Sequence, residues 1–215
     1  MSPTPSDRSR PTVIVLGTRN RKKAEELIDL LRGMPIDFRT LADFANAPEV
    51  VEDGDTFLAN ARKKATELAR ALGVWVLGED SGLVVDALGG QPGVYSARYA
   101  GQGASDEANN RKLLAELAGV ADHDRIAHYV CTAALSDPDG NIRAEVQGRC
   151  NGRLGTEPHG NHGFGYDPLF IIAEYHKTFG ELGLLVKRHL SHRARAMARL
   201  RPVLWKLLGT PVAGN

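Results

Sequence analysis

Apolar positions along this chain change period several times. Thr12 to Gly17 (TVIVLG) is a β-branched run closed by glycine and predicts a strand, and from Arg19 to Arg32 the residues Ala24, Leu27, Ile28, Leu30 and Leu31 recur at helical spacing. Ile36 to Leu41 suits a second strand. Asp55 to Leu72 carries Phe57, Ala61, Ala65, Leu68 and Leu72 on one stripe, a long helix closed by Gly73, and Val74 to Leu77 opens another strand. Gly78 to Gly103 is rich in glycine with only short apolar pieces, so loops and hairpins are expected there. A helix follows over Ser105 to Leu117, with Asp106 and Glu107 in a first turn where the helix dipole favours acids. Ile126 to Ser136 and Ile142 to Cys150 predict an antiparallel pair across the turn Asp137-Pro138-Asp139-Gly140. Leu169 to Ile172 adds a short strand, and Ser191 caps a final helix that runs to Leu208. Early alternation of strands and helices with a hairpin in the middle predicts an α/β fold with a mixed sheet, one unit over residues 12–210 behind a disordered tail, 1–11.

Composition narrows the class further. The 215 residues hold 27 Lys plus Arg against 26 Asp plus Glu, a formal charge of +1, so bulk attraction to nucleic acid or an anionic membrane is not expected. No apolar run approaches the ~20 residues of a membrane span, and Met1 to Pro11 lacks the apolar centre of a signal peptide, which makes a cytoplasmic protein the expectation. Cys131 and Cys150 lie in strand-like apolar contexts without the spacing of a zinc site or a disulfide framework, and read as buried thiols. The charge is unevenly divided: Leu182 to Asn215 has seven Lys or Arg and no acid, against 20 basic and 26 acidic residues before it. Such a segment suits a nucleic-acid patch, a solvated helix face or one wall of a site for a small polyanion.

Four stretches could carry chemistry. Thr18-Arg19-Asn20-Arg21-Lys22-Lys23, between the first strand and its helix, offers unpaired backbone amides, a positive dipole end and side-chain donors, and is either a phosphate cradle or an ordinary capped turn with solvated basic residues; it lacks both the P-loop and the GxGxxG pattern. Glu79-Asp80-Ser81-Gly82 places adjacent acids at the end of a buried strand, where Mg²⁺ and hydrogen bonds would compensate their charge; no GxSxG elbow accompanies Ser81. Glu49, Glu52, Asp53 and Asp55 could add a metal contact or cap the following helix. Gly163-Phe164-Gly165-Tyr166-Asp167-Pro168 sets glycines around aromatic rings on which a planar base can stack, or is a tight turn that packs two rings. Lys187 to Arg193 brings Lys187, His192 and Arg193 to a helix start, donors for carbonyl or phosphate oxygens.

Taken in order, T-x-N-x-x-K at Thr18 to Lys23, TF-x-x-NA at Thr56 to Ala61, EDSGL at Glu79 to Leu83, LGG-x-PGVYSARYAG at Leu88 to Gly101, GFGYDPLF at Gly163 to Phe170 and K-x-x-x-SHR at Lys187 to Arg193 resemble the inosine triphosphate pyrophosphatase family, over nearly the whole chain from Val13 to Leu200. The resemblance implies an elongated mixed β-sheet flanked by helices, two lobes with a central cleft, and a homodimer. It implies that Thr18, Asn20 and Lys23, in one turn with Arg19, Arg21 and Lys22, hold a triphosphate. Asp80 would bind Mg²⁺ and accept the proton of the attacking water, with Ser81 touching substrate beside it and Glu52 as a second metal ligand. Phe164, Gly165, Tyr166, Asp167, Lys187, His192 and Arg193 would surround the purine. The implied reaction converts ITP, dITP or XTP to the monophosphate and pyrophosphate. Alternatives are another modified nucleotide on the same scaffold, or a non-enzymatic RNA-binding module built on the basic C-terminal segment. The chain departs from many relatives at Ala59, where they carry Glu, at Leu185-Val186, where acids are frequent, at Arg188 for Asn and at His159 for Arg.

Overall fold

Seven strands hydrogen-bond into one mixed sheet ordered β2-β1-β3-β4-β5-β6-β7. The computed structural model describes residues 11–209; most of the expected N-terminal tail, residues 1–10, and residues 210–215 lie outside them. β1 (Thr12–Gly17) is apolar and nearly all interior, and pairs in parallel with β2 (Ile36–Thr40) on one side and β3 (Trp75–Val85) on the other. β3 then pairs antiparallel with β4 (Ile126–Ser136), and β4 with β5 (Ile142–Leu154) across the Asp137 to Gly140 turn. Short β6 (Phe170–Ile172) and β7 (Lys177–Thr178) finish the sheet. At about 3.3 Å per residue, the central strands of 11, 11 and 13 residues are roughly 36 to 43 Å long. The resulting α/β fold with a mixed sheet is the expected one.

Helices cover both faces. α1 (Arg21–Leu30) and α5 (His192–Leu208) bury Leu27, Met197, Leu200 and Leu204 with Ile14, Leu16 and Leu77 at one end of the sheet. α2 (Phe57–Leu72), capped by Thr56 and closed by Gly73 at φ 66°, packs on the opposite face. A separate apolar cluster gathers Leu83, Val85, Tyr129, Phe170 and Phe179 with Leu113 of α3 (Asp106–Glu116). The strands therefore link two apolar lobes, with a polar band across the middle of β3. Among the described residues no helix is long and apolar enough to cross a membrane.

Three expectations need correction. The segment after Leu77 is not loop: β3 continues through Gly78-Glu79-Asp80-Ser81-Gly82 to Val85, and only then do 3-10 turns at Asp86–Leu88 and Gly93–Arg98 follow. Its polar centre erases the apolar signal, yet pairing to β4 from Val76↔Ser136 to Val85↔Ala127 holds it extended. α4 (Phe179–Leu190) is an element the apolar spacing does not predict; Gly180 and Gly183 interrupt its pattern, the helix breaks at Gly183 (φ 73°, ψ 179°), and its start is fixed by a Thr178/Glu181 capping box. β5 runs past Cys150 to Leu154. Both cysteines are buried and unpaired, as expected.

Two glycines set how closely the helices approach. A Cβ on Gly78 would stand 2.7 Å from the amide nitrogen of Ala65 and collide with the Ala61 carbonyl on α2. A Cβ on Gly148 would collide with the His192 carbonyl and the Ala196 amide on α5. Close backbone contact thus lets short reaches carry α2 side chains to Asp80 and α5 side chains to Glu79. Gly78→Ala is expected to destabilise the fold by about 1 to 3 kcal/mol through overpacking, read as a lower urea midpoint at unchanged m-value.

Candidate active site

β1 stops pairing with β3 at Gly17↔Gly78, so beyond Gly78 one edge of β3 faces the polar turn that follows β1. Side chains alternate along a strand, and Glu79 and Asp80 therefore point to opposite faces. They are not a paired-acid site at a strand end. Glu79 belongs to the α1/α5 face: Lys23 Nζ lies 3.3 Å from Oε2, Arg193 Nη2 3.1 Å from Oε1, and the Cys131 thiol donates to Oε1 at 3.4 Å. Asp80 belongs to the α2 face, where Asn60 Nδ2 donates to Oδ2 at 3.0 Å and the Ser81 amide to Oδ1 at 3.0 Å. Lys64 Nζ stands 2.7 Å from Glu52 Oε2 and 3.7 Å from Asp80 Oδ1.

Their ionisation differs accordingly. Burial alone would raise the Glu79 carboxyl, but Lys23, Arg193 and Lys64 outweigh it and hold the group well below the usual carboxylate range. Asp80 is raised, because burial and the neighbouring Glu52 and Glu79 outweigh Lys64 and Lys23. Desolvation would lower half-buried Lys23, yet Glu79, with Asp80 and Glu52, outweighs it and the neighbouring Arg193 and holds the amine above the ordinary lysine value.

A cavity of about 260 Å³ opens beside Asp80, lined by Thr18, Arg19, Asn20, Lys23, Glu49, Glu52, Lys64, Ser81 and Arg98. Asn20 caps α1, accepting the Lys23 amide at 3.1 Å, and the Thr18 hydroxyl accepts the Asn20 amide at 3.2 Å. The Arg21 and Lys22 amides, in the first turn, lie beyond reach of intrahelical carbonyls. Their side chains go elsewhere: Arg21 is exposed and paired with Glu25, while Lys22 Nζ lies 5.8 Å from the centroid of Phe164. Arg19 donates to the Ala47 and Pro48 carbonyls at 2.8 and 3.3 Å, fastening the loop that leads to Glu52.

A second cavity, about 90 Å³, shares Asn20, Lys23 and Ser81 with the first and adds Phe164, Gly165, Tyr166, Asp167, Lys187, His192 and Arg193. Lys187 is buried, 2.6 Å from Asp167 Oδ2 and 2.8 Å from Glu26 Oε1, and lies 4.3 Å from the Phe164 centroid. Arg193 is 1% exposed and binds Glu79, Glu26 and, at 3.0 Å, the Ser81 hydroxyl. His192 stacks on Tyr129 with ring centroids 4.6 Å apart, and its buried Nδ1 has no protein partner. Burial, then Arg193 and Lys187, push the His192 pKa well below the ordinary histidine value, so the ring is neutral. Asp167 accepts the Phe164 amide at 2.9 Å and is raised by burial against the pull of Lys187.

The sequence and fold have close counterparts. The Ham1 family profile matches residues 14–203. A protein of Rhodopirellula baltica named dITP/XTP pyrophosphatase is 58% identical over 195 residues, 91% of this chain and 94% of its own length. One of Geobacter sulfurreducens with the same name is 50% identical over 88% of this chain and 95% of its own. The HAM1 protein structure from Coxiella burnetii superposes with TM-score 0.83 at 37% identity, covering 91% and 99% of the two chains. The chain belongs to the Ham1 family.

Within this Ham1 chain, residues from every predicted stretch meet around the open edge of β3. Reasoning from residues alone missed Glu26, Asn60, Lys64 and Arg98, each lying on a helix or turn without a local chemical pattern; only Asn60, in TF-x-x-NA, and Arg98, in the LGG-x-PGVYSARYAG stretch, carried a signal. The basic C-terminal segment is largely spent on internal contacts: besides Lys187 and Arg193, Arg188 pairs with Asp29 at 3.0 Å, Arg201 donates to the Leu30 and Arg32 carbonyls, and Arg199 to that of Gln147. Ala59 occupies the third position of α2, its amide accepted by the Thr56 hydroxyl, where a Glu completes a capping box; the departure there costs a reciprocal cap. A base whose folded pKa is depressed stabilises the fold above its unfolded pKa of 6.5 and loses that stability as pH falls. Urea midpoints are therefore expected to fall between pH 6.5 and 5, by at most about 1.4 kcal/mol per pH unit from this group, and less steeply in His192→Gln; an identical slope in the variant contradicts this assignment.

Proposed function

We propose that this chain hydrolyses dITP and XTP, with ITP as a close analogue, to the nucleoside monophosphate and pyrophosphate. The observation that carries the reading is the pair of cavities joined at Asn20, Lys23 and Ser81: one offers amides, cations and carboxylates, the other an aromatic wall with buried donors. The names of the related proteins support it. Thr18, Asn20, Lys23 and the first-turn amides of α1 bind the polyphosphate at a helix N-terminus, with Ser81 beside them. Asp80, raised by burial, is the base: it accepts a proton as water oxygen bonds the α-phosphorus, and the bond to the bridging oxygen breaks with its electron pair leaving on pyrophosphate. Phe164 and Tyr166 flank the purine, and Lys187, His192 and Arg193 supply its polar contacts. A 6-oxo group accepts from such donors, whereas adenine's 6-amino group would leave them unpaired at a cost of about 1 to 3 kcal/mol each.

Glu52 and Asp80 share one ammonium, Lys64, so this trio carries one excess negative charge inside a cavity that Arg19, Lys23 and Arg98 also line. That suits Mg²⁺, which takes one or two protein carboxylates and completes its shell with phosphate oxygens and water; among the described residues no cage of three or more His, Cys, Asp or Glu competes as a metal site. When bound, Mg²⁺ would withdraw charge from the phosphate oxygens. The reading implies a cytoplasmic enzyme acting on free nucleotides. A homodimer fits the sheet face that α2 leaves bare, where Ile126 is 49% exposed beside the exposed row Gln147, Arg149, Asn151 and Arg153.

Pyrophosphate release from XTP, dITP, ITP, ATP, GTP and dUTP, with and without Mg²⁺, tests the proposal on protein whose mass is read by sedimentation. Turnover at least 100-fold faster for XTP and dITP than for ATP, lost without Mg²⁺, in a species of about twice the monomer mass, is the expected outcome. Equal turnover of ATP and XTP contradicts the base assignment, and preferential dUTP turnover supports a different modified nucleotide.

A further inference from the structure

We infer that α3, through Asp106, Asn109 and Asn110, is the positioning element that sets the base-side loop against the phosphate-side turn. The inference rests on the proposed reading of the two cavities and adds residues to which no role has been given above. The Gly165 peptide, in the glycine-aromatic loop at φ 64°, is gripped at both ends by one helix: Asp106 Oδ2 accepts its N–H at 2.8 Å and Asn110 Nδ2 donates to its carbonyl at 3.1 Å. Asn109, one turn after Asp106 and beside it on the helix, holds a different segment. It is 3% exposed, accepts the Ala100 amide on Oδ1 at 2.8 Å and donates from Nδ2 to the Ala97 carbonyl at 3.3 Å.

The turn held by Asn109 is the one that closes the open edge of β3. Its Ser96 hydroxyl accepts the Leu83 amide at 2.9 Å and donates to the Gly93 carbonyl at 2.6 Å, and Ala97 lines both cavities. Tyr166 ties the two sides directly, donating from its hydroxyl to the Ser96 carbonyl at 2.8 Å. Three hydrogen-bonding positions within five residues of one short helix therefore fix the distance between the purine loop and the turn beside the phosphates. None of the three touches the reacting atoms. Loosening them displaces the base wall while leaving Asp80 and Lys23 in place, so substrate binding suffers and the chemical step does not.

The test uses the full chain with Asp106→Ala, Asn110→Ala and the conservative Asp106→Asn, which keeps an oxygen acceptor but loses the charge that favours a helix N-terminus. Expected results are a KM for XTP raised roughly tenfold in each alanine variant with kcat within about twofold, and KM restored in Asp106→Asn. Hydrogen exchange of the segment 163–167 should quicken in the alanine variants and not in Asp106→Asn. A KM unchanged in both alanine variants, or kcat lost at unchanged KM, overturns the assignment, as does unaltered exchange. If Asp106→Ala does not fold, Asn110→Ala and Asp106→Asn carry the same comparison. Wild type that fails to turn over XTP would defeat the proposed function, while exchange still decides whether α3 holds the loop.

Discussion

Past Gly78, β3 has a strand neighbour on one side only, and the site is organised by what that open edge requires. β4 keeps β3 extended to Val85, so the alternation of the pleat continues through the polar stretch and sends Glu79 and Asp80 to opposite faces. Each carboxylate is buried, and each needs a different helix. Gly148 lets α5 approach closely enough for Arg193 to meet Glu79, and Gly78 lets α2 bring Asn60 and Lys64 to Asp80. The turn after β1 then falls across the edge between them and carries Lys23 to Glu79.

Charge compensation distinguishes the two sides. On the α1/α5 face three carboxylates, Glu26, Glu79 and Asp167, interlock with three cations, Lys23, Lys187 and Arg193. A buried network balanced in this way is rigid, and loss of any one member strands an uncompensated charge. On the α2 face Glu52 and Asp80 share only Lys64, an imbalance that leaves room for one more cation. The site thus combines a closed structural network with a small open deficit where substrate chemistry is proposed. The glycine-aromatic loop sits on the balanced side, so the proposed purine site is walled by rigidly held donors.

Much of this was legible in the sequence because periodicity and glycine chemistry are local. β1, α2, the β4–β5 hairpin and α5 announce themselves by apolar spacing, and the turn Thr18 to Lys23 and SHR stand at the end of β1 and the start of α5. What escaped depends on distant partners. The polar middle of β3 is extended because β4 pairs with it, and Gly180 and Gly183 disguise α4, which positions Lys187. Glu26 and Lys64 are single charged residues on ordinary helices, indistinguishable from a solvated face until the fold turns them inward. Arg21 was the converse case: its position in the motif suggested a side-chain role, but the helical phase places it in solvent against Glu25.

Neighbouring carboxylates on one strand thus sit in opposite balances: Glu79 is stabilised by its cations, while Asp80, the proposed base, is held ready at some expense to the fold. Melting temperature in chelator and XTP turnover, measured in parallel on Glu79→Gln and Asp80→Asn, test this most directly. Glu79 is depressed in the folded state, so its ionised form stabilises the protein above the unfolded pKa of 4.5, and Glu79→Gln should melt several degrees lower at pH 7. Asp80 is raised above its unfolded value of 3.8, so its charge opposes folding, and Asp80→Asn should melt at or above wild type while losing roughly 100-fold or more in turnover. Equal destabilisation by both substitutions, or an Asp80→Asn protein as active as wild type, would contradict the account.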